Sequence, residues 1–135
     1  MYIAWNASAA WQKTLIARRG DDLLAAAHDV AASFYKLSAA VGRSVPRDAF
    51  GRHVDEAYVD FRELRKTYAI AQRSYPKLTD EILKALSDEL DEMKEVGTRM
   101  YVDPNHFLTF GPAAKKAQAK GDEFVEMVRK ILAAS

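Results

Sequence analysis

Apolar residues recur along this chain at alternating intervals of four and three positions. This spacing keeps them on one face of an α-helix, and four separate segments show it. No segment alternates strictly between apolar and polar residues, as a half-buried strand does. The pattern therefore predicts an all-α protein. The predicted core positions of the first two segments are Ile16, Gly20, Leu23, Ala27, Val30, Phe34, Leu37 and Val41, then Phe50, Val54, Ala57, Phe61, Leu64, Tyr68, Ala71 and Tyr75. Those of the last two are Leu83, Leu86, Leu90, Met93, Gly97 and Met100, then Ala114, Ala117, Gly121, Phe124, Val128 and Ile131.

Prolines and glycines set most of the expected helix boundaries. Residues 42–46 separate the first two helices, and the second is expected to begin at the proline of this stretch or at Arg47. Pro76 is expected to end the second helix, since the residue before a proline disfavours helical backbone. The Asp-Pro pair at 103–104 predicts a short turn. The Gly-Pro pair at 111–112 is expected to open the last helix.

The start of the third helix carries its own signals. Thr79 suits the N-cap, and Asp80 and Glu81 suit the positive end of the helix dipole that follows it. Leu78 and Leu83 have the spacing of a hydrophobic staple. These features predict a helix that begins directly after Thr79.

Short connections between consecutive helices predict antiparallel neighbours. The fold class is therefore an all-α, antiparallel, up-down-up-down four-helix bundle with a long first helix. The whole chain, residues 1–135, is expected to form one helical-bundle domain, with residues 1–15 as a helical overhang or arm. A length of 135 residues is enough for one substantial core.

Folding the helices back on each other about these connections predicts a packing register in which large and small side chains alternate. Gly20, Gly97 and Gly121 fall on core positions, where each either leaves a ligand pocket or receives a neighbouring side chain or helix. We favour the filled arrangement. The predicted mixed layers are Phe34 with Ala57, Gly97 and Ala117, and Phe61 and Met93 with Gly121.

The same register places Ile16 level with Tyr75, so that residues 2–13 extend beyond the bundle by roughly 18 Å if they are helical. Gly20 either interrupts the first helix or lies within it. We expect one continuous helix, because an interior glycine costs only about 1 kcal/mol.

The overhang combines aromatic and basic residues. Trp5, Trp11 and Leu15 are the candidate partner-binding residues, and basic side chains accompany them with no acid before Asp21. Three roles are open for this segment: a helix end that caps the bundle, a surface for self-association or partner binding, and a contact with a membrane.

Composition narrows the remaining classes of function. The chain has no cysteine, which excludes disulfides and cysteine-based metal sites. Its net charge of +1 gives no general attraction to nucleic acid, so no DNA partner is expected. No apolar run approaches the roughly 20 residues that span a bilayer, and no secretion signal is recognisable. The expected location is the cytoplasm, or a membrane-proximal position if the chain is a truncated form.

An acidic run in the third helix raises the question of a metal centre. A carboxylate-bridged di-iron bundle needs inward-facing glutamates and Glu-x-x-His pairs, and the chain has no such pair. We interpret the run as a solvated helix face and expect neither a metal nor another cofactor. Its members are Asp88, Glu89, Asp91, Glu92 and Glu95.

Arg47 and His53 at the start of the second helix form a short pattern of another kind. Their spacing resembles the Arg-x(4–6)-His motif of HEPN ribonucleases, over seven residues of the chain. The resemblance implies a dimeric helical bundle in which the arginine and histidine converge across a cleft and cleave RNA without a metal. Such an enzyme would serve a toxin–antitoxin or defence system.

The leading hypothesis is a non-catalytic helical-bundle module that acts through protein–protein contacts or self-association by its N-terminal helix. The ribonuclease, with Arg47 and His53 as its catalytic residues and RNA as its partner, is the alternative.

Overall fold

A computed structural model describes residues 2–42, 45–100 and 107–134, with side chains for 9–41, 45–99 and 112–134. In this part of the chain the protein forms four α-helices and no β-strand. The fold-class prediction of an all-α bundle with a long first helix is confirmed. The helices are α1 (Tyr2–Gly42), α2 (Arg47–Gln72), α3 (Asp80–Met100) and α4 (Phe107–Ala133).

Along α1, successive residues contact progressively earlier residues of α2 and of the turn that follows it. Near the middle of α1, Arg19 Nη1 donates a hydrogen bond at 3.1 Å to Oγ of Ser74, which directly follows α2. Further along α1, the buried Ser33 hydroxyl donates to the Asp60 carboxylate. A later residue of α1 therefore meets an earlier residue of α2, so the two helices are antiparallel.

The α2–α3 pair shows the same reversal. Tyr58 of α2 donates to Asp91 at 2.6 Å, whereas Tyr68, farther along α2, donates to the carbonyl oxygen of Thr79. In all, α1 packs closely against both α2 and α4, while α3 packs mainly against α4 and approaches α2 less closely.

The predicted helical faces form the core. Of the predicted core positions with described side chains, all but three are buried. Leu83 and Ile131 are half-buried and pack against the core, whereas Ile16 is 39% exposed. Ile16 was expected in the core, but it lies at the end of the bundle, where α2 and α4 no longer cover it. Ala40, Leu78 and Val125 are further core residues that the repeat did not include.

The register of α3 differs from the predicted one. A Cβ on Gly97 would lie 1.9 Å from Cε1 of Phe50, so Gly97 faces Phe50 and not Phe34 or Ala57. This is a shift of one heptad along α2. A seven-residue repeat matches itself after such a shift, so the pattern alone cannot choose between the two registers.

The position of Gly121 in α4 also corrects a predicted layer. The nearest atoms to a Cβ on Gly121 belong to Ala31, whose Cα would lie at 3.2 Å, and to the ring of Phe34. Phe61 and Met93 were expected there. The general interpretation of the core glycines holds, since Gly97 receives a ring and Gly121 lets two helix backbones approach closely.

The predicted continuity of α1 and the predicted starts of α2 and α3 are confirmed, whereas the predicted end of α2 and start of α4 are wrong. Here, α1 is continuous through Gly20, α2 begins at Arg47, and α3 begins directly after Thr79. By contrast, α4 begins at Phe107, ahead of the Gly-Pro pair expected to open it, and Pro112 lies inside the helix. The fixed φ of proline is compatible with helical backbone, but at the sixth residue of α4 the ring removes one intrahelical hydrogen bond and crowds the carbonyl four residues earlier.

Two further expectations concern the connections. Helix α2 ends at Gln72, and turns carry the chain through Tyr75 and Pro76, so Tyr75 is buried from a turn rather than from the last helical residue. The predicted turn at 103–104 lies outside the described residues.

Candidate functional site

The first fourteen residues of α1, residues 2–15, form the N-terminal arm. The Tyr75 hydroxyl donates to the carbonyl oxygen of Ile16 at 3.3 Å, which confirms that Ile16 lies level with Tyr75, three residues past the end of α2. Leu132 packs beside Gly20 on the same face of α1 as the Tyr75 hydroxyl, and α4 ends at Ala133. Since the helix rises about 1.5 Å per residue, the arm extends about 21 Å beyond both neighbours.

The arm presents an aromatic side chain to solvent. Trp11 is 65% exposed, more than any other large apolar side chain in the described part of the chain. Leu15 is half-buried and lies one turn farther along, on the same side of the helix as Trp11. Trp5 lies in the helix, but its side chain is outside the described set. Of the three predicted partner-binding residues, the structure therefore places Trp11 and Leu15 on one face.

The base of the arm is positively charged. Lys13 and Arg18 are exposed, and the half-buried Arg19 reaches Ser74 in the α2–α3 connection. The first acidic residue of the chain is Asp21. The arm therefore joins an apolar face to a cationic collar where it leaves the bundle.

An apolar groove lies between α3 and α4 at the same end of the bundle. Its volume is about 290 Å³, and its floor is formed by Ile82, Leu86, Phe124 and Met127. Thr79, Glu81, Ala85, Lys120 and Glu123 complete the lining. The groove begins four residues after Tyr75 and extends to within five residues of Leu132, the two residues that mark the base of the arm. We call it the α3–α4 groove.

The acidic run of α3 was expected to be solvated throughout, but one of its members is buried. Asp88, Asp91, Glu92 and Glu95 are exposed, but Glu89 is only 5% exposed. Glu89 faces α4, where Lys116 Nζ lies 3.7 Å from its carboxylate and also reaches Glu92 at 3.2 Å.

Burial determines the ionisation of Glu89. Loss of hydration raises the pKa of its carboxyl above the ordinary value, and the attraction of Lys116 offsets only part of that effect. The sequence carried one signal of this position: Glu89 directly precedes the core residue Leu90, and a lysine occurs on the facing helix. The run therefore combines four solvated acids with one buried carboxylate, which pairs with the exposed Lys116.

A second depression, of about 430 Å³, lies between the start of α2 and the end of α3. Phe50 and Gly97 form its floor, and Arg47, Arg52 and Lys94 contribute the cationic groups of its rim. Asp48 and Asp55 stand on the same rim, so the charges largely balance.

His53 does not line this depression. Its Nδ1 is buried without a hydrogen-bond partner among the described residues, and the nearest carboxylate, that of Glu56, is 3.9 Å away. Within one chain, therefore, Arg47 lines this depression and His53 does not. The arrangement that the ribonuclease resemblance implies would have to arise between two chains.

Tyr58 closes the α2–α3 interface beside this depression. Its hydroxyl donates to Asp91, and Lys94 Nζ lies 5.6 Å from the centre of its ring, within the range of a cation–π contact. Partial burial and the nearby Asp91 carboxylate raise the pKa of the Tyr58 phenol to about 12. The phenol therefore stays protonated and links the two helices across the physiological range of pH.

The described residues hold no cluster of three or more histidine and acidic side chains that could bind a metal ion. No helix within them is both long enough and apolar enough to traverse a bilayer. Comparison of the chain with family models, with curated proteins and with solved structures finds no significant match. The physical properties of the arm and the groove therefore carry the functional argument.

Proposed function

We propose that this protein is a non-catalytic helical-bundle module that acts by self-association through its N-terminal arm. The observation that carries the proposal is the exposure of Trp11 on a helix that extends past its own bundle. Tryptophan is strongly enriched among the residues that dominate protein–protein binding energy. Its position on the arm leaves it free of the bundle's own core.

Burial of Trp11 at an interface would make a large favourable contribution to the free energy of association. A tryptophan buries about 150–250 Å² when it is fully enclosed. At about 25 cal/mol/Å², covering the exposed two-thirds of Trp11 contributes roughly 2–4 kcal/mol before the costs of association. Leu15 on the same face adds to this area.

The helix itself supports the same conclusion. Helical segments as short as the arm are marginal in water on their own, and most helical stability in proteins comes from packing of an apolar face. The packed body of α1 nucleates the arm, but its apolar face is only partly covered: Leu15 is half-buried and Trp11 is exposed. A partner surface would supply that packing.

The proposal is tested by light scattering on the full chain and on two single substitutions. Trp11→Lys places a charge on the arm, and Tyr35→Lys places the same charge at an exposed aromatic in the body of α1. We expect a concentration-dependent dimer or higher oligomer for the natural chain and Tyr35→Lys, and a monomer for Trp11→Lys. Both are surface substitutions, which usually change stability by less than about 0.5 kcal/mol. Monomers in all three samples at high concentration would overturn the proposal.

The other hypotheses stay predictions. The ribonuclease predicts RNA cleavage without metal that His53→Ala abolishes at unchanged helicity. A cytoplasmic location is expected, and contact of the arm with a membrane would show as vesicle binding that Trp11→Lys removes.

A further inference from the structure

We infer that the N-terminal arm of one copy docks into the α3–α4 groove of a second copy. This inference rests on the proposed self-association and names the surface that receives the arm. It commits to a second copy of this chain as the occupant. The argument depends on the location, shape and charge of the groove.

Location is the first argument. The arm leaves the bundle beside Tyr75 and Leu132, and the groove lies within about five residues of each of them, at the same end. Two copies that meet end to end about a twofold axis would each extend an arm along the other's α3 and α4. Closed twofold pairing of this type uses the same two surfaces on each subunit and forms two equal contacts.

Shape is the second argument. Along α3 the groove runs from Thr79 to Leu86, a distance of about 10 Å at the helical rise, and the arm of about 21 Å is long enough to cover it. The volume of about 290 Å³ is at the lower limit of small-molecule sites, and the groove is open along the helices. Such a surface suits the apolar face of a helix, with Trp11 and Leu15 as its anchors.

Charge is the third argument. The arm and its collar carry Lys13, Arg18 and Arg19 without an acid. Five of the seven acidic residues of α3 lie at positions 88–95, beyond the groove, so the groove lining itself decides its charge. Glu81 and Glu123 stand at the rim itself, with Lys120 as the basic exception. Opposite charges of this kind orient two copies and favour the arm–groove contact over arm against arm, where like charges repel.

The absence of cysteine from the chain allows a direct test by disulfide trapping. Gln12→Cys places a thiol beside Trp11 without removing it, and Ala85→Cys places one on the exposed lining of the groove. We expect the double variant to form a disulfide-linked dimer under mild oxidation at concentrations where the chain associates. The matched control pairs Gln12→Cys with Val59→Cys, an exposed position on α2. The control pair should form far less of the linked dimer.

A second variant tests the groove without cysteines. Ala85→Arg adds bulk and positive charge at an exposed lining position, so the bundle should keep its helicity. We expect at least a tenfold weaker dimer, and Ile70→Arg, an exposed position outside the groove, should leave the dimer unchanged.

The outcomes distinguish docking of the arm into the α3–α4 groove from self-association through the arm in general. If Trp11→Lys abolishes the dimer but Ala85→Arg leaves it intact, docking into the α3–α4 groove is wrong, whereas self-association through the arm still holds. The same holds if Gln12→Cys alone links two arms efficiently, or if the double variant closes within one chain. A chain that is monomeric in every sample would overturn both.

Discussion

The ring of Phe50 occupies the space that a side chain on residue 97 would need. Phe50 lies in the first turn of α2, and Gly97 lies near the end of α3, so this one contact fixes the offset of the two helices. The contact lies at the α2–α3 interface, where the two helices otherwise approach each other less closely than α1 approaches α2 or α4. We therefore expect α3 to be unusually sensitive to substitution at this glycine.

Gly97→Ala should destabilise the protein. The new Cβ would lie 1.9 Å from Phe50 Cε1, and a buried ring that must move costs about 1–3 kcal/mol, which exceeds the gain of up to about 1 kcal/mol in helix propensity. Gly51→Ala is the matched control, because a Cβ there meets no atom within 4 Å. This control should stabilise α2 by about 0.5–1 kcal/mol. Urea unfolding followed by circular dichroism measures both, and equal effects of the same sign would contradict the packing.

Glu89→Gln should stabilise the protein at neutral pH. The pKa of Glu89 is raised in the folded state by burial, so the folded chain binds more protons than the unfolded one once pH exceeds the ordinary value of 4.5. Stability therefore falls as pH rises from there through the folded-state pKa, and a glutamine has no such loss. The advantage of Glu89→Gln should vanish near pH 4, where the glutamate is protonated in both states.

Glu92→Gln is the matched control for this experiment. It removes the exposed carboxylate that shares Lys116 with Glu89. Exposed ion pairs contribute at most about 1 kcal/mol. The stability of this variant relative to the natural chain should therefore not increase as pH rises above 4.5. Thermal or urea unfolding across pH 4–8 gives the comparison; a constant difference between Glu89→Gln and the natural chain would contradict the raised pKa.

At least two tyrosines should titrate late in the folded chain. Tyr58 and Tyr68 have phenol pKa values raised to about 12, in both cases chiefly by burial, and nearby carboxylates add to the effect. Because the unfolded phenols ionise near pH 10 and the folded ones near pH 12, stability should decline between these values.

Ultraviolet absorbance of the phenolate measures this titration directly. Tyr58→Phe should remove one late-titrating group, and Tyr35→Phe, at an exposed position, should leave both. If every tyrosine of the folded protein ionised near pH 10, the burial of these hydroxyls would be wrong.

Tryptophan fluorescence should report on the arm alone. The chain has two tryptophans, and both lie in residues 2–15. In a Trp5→Phe variant the emission comes from Trp11, which is 65% exposed in the single chain. We expect the emission to move to shorter wavelength as concentration rises, in parallel with the mass from light scattering. A doubled mass without this change would place the interface away from Trp11.

The local features of the sequence were sufficient for the helices and for most of the core. Four-three spacing identified the buried faces because a helix repeats every 3.6 residues, and this relation needs no knowledge of the partner helix. It also located the arm, since the α1–α2 pairing that leaves Ile16 level with Tyr75 follows from one short connection. The late start predicted for α4 failed because Pro112 was interpreted as a boundary, whereas the helix begins at Phe107 and continues through this proline, whose fixed φ is itself helical.

The interface between helices was decided by tertiary structure. A heptad pattern is unchanged by a shift of seven residues, so only the fit of Phe50 against Gly97 and of Ala31 against Gly121 selected the observed layers. The burial of Glu89 and the α3–α4 groove likewise depend on which side chains of α4 come opposite α3. The sequence by itself determined which face of each helix is apolar and that α1 outreaches its neighbours. The tertiary structure decided how those faces interlock, because packing depends on the shapes of side chains that are distant in the chain.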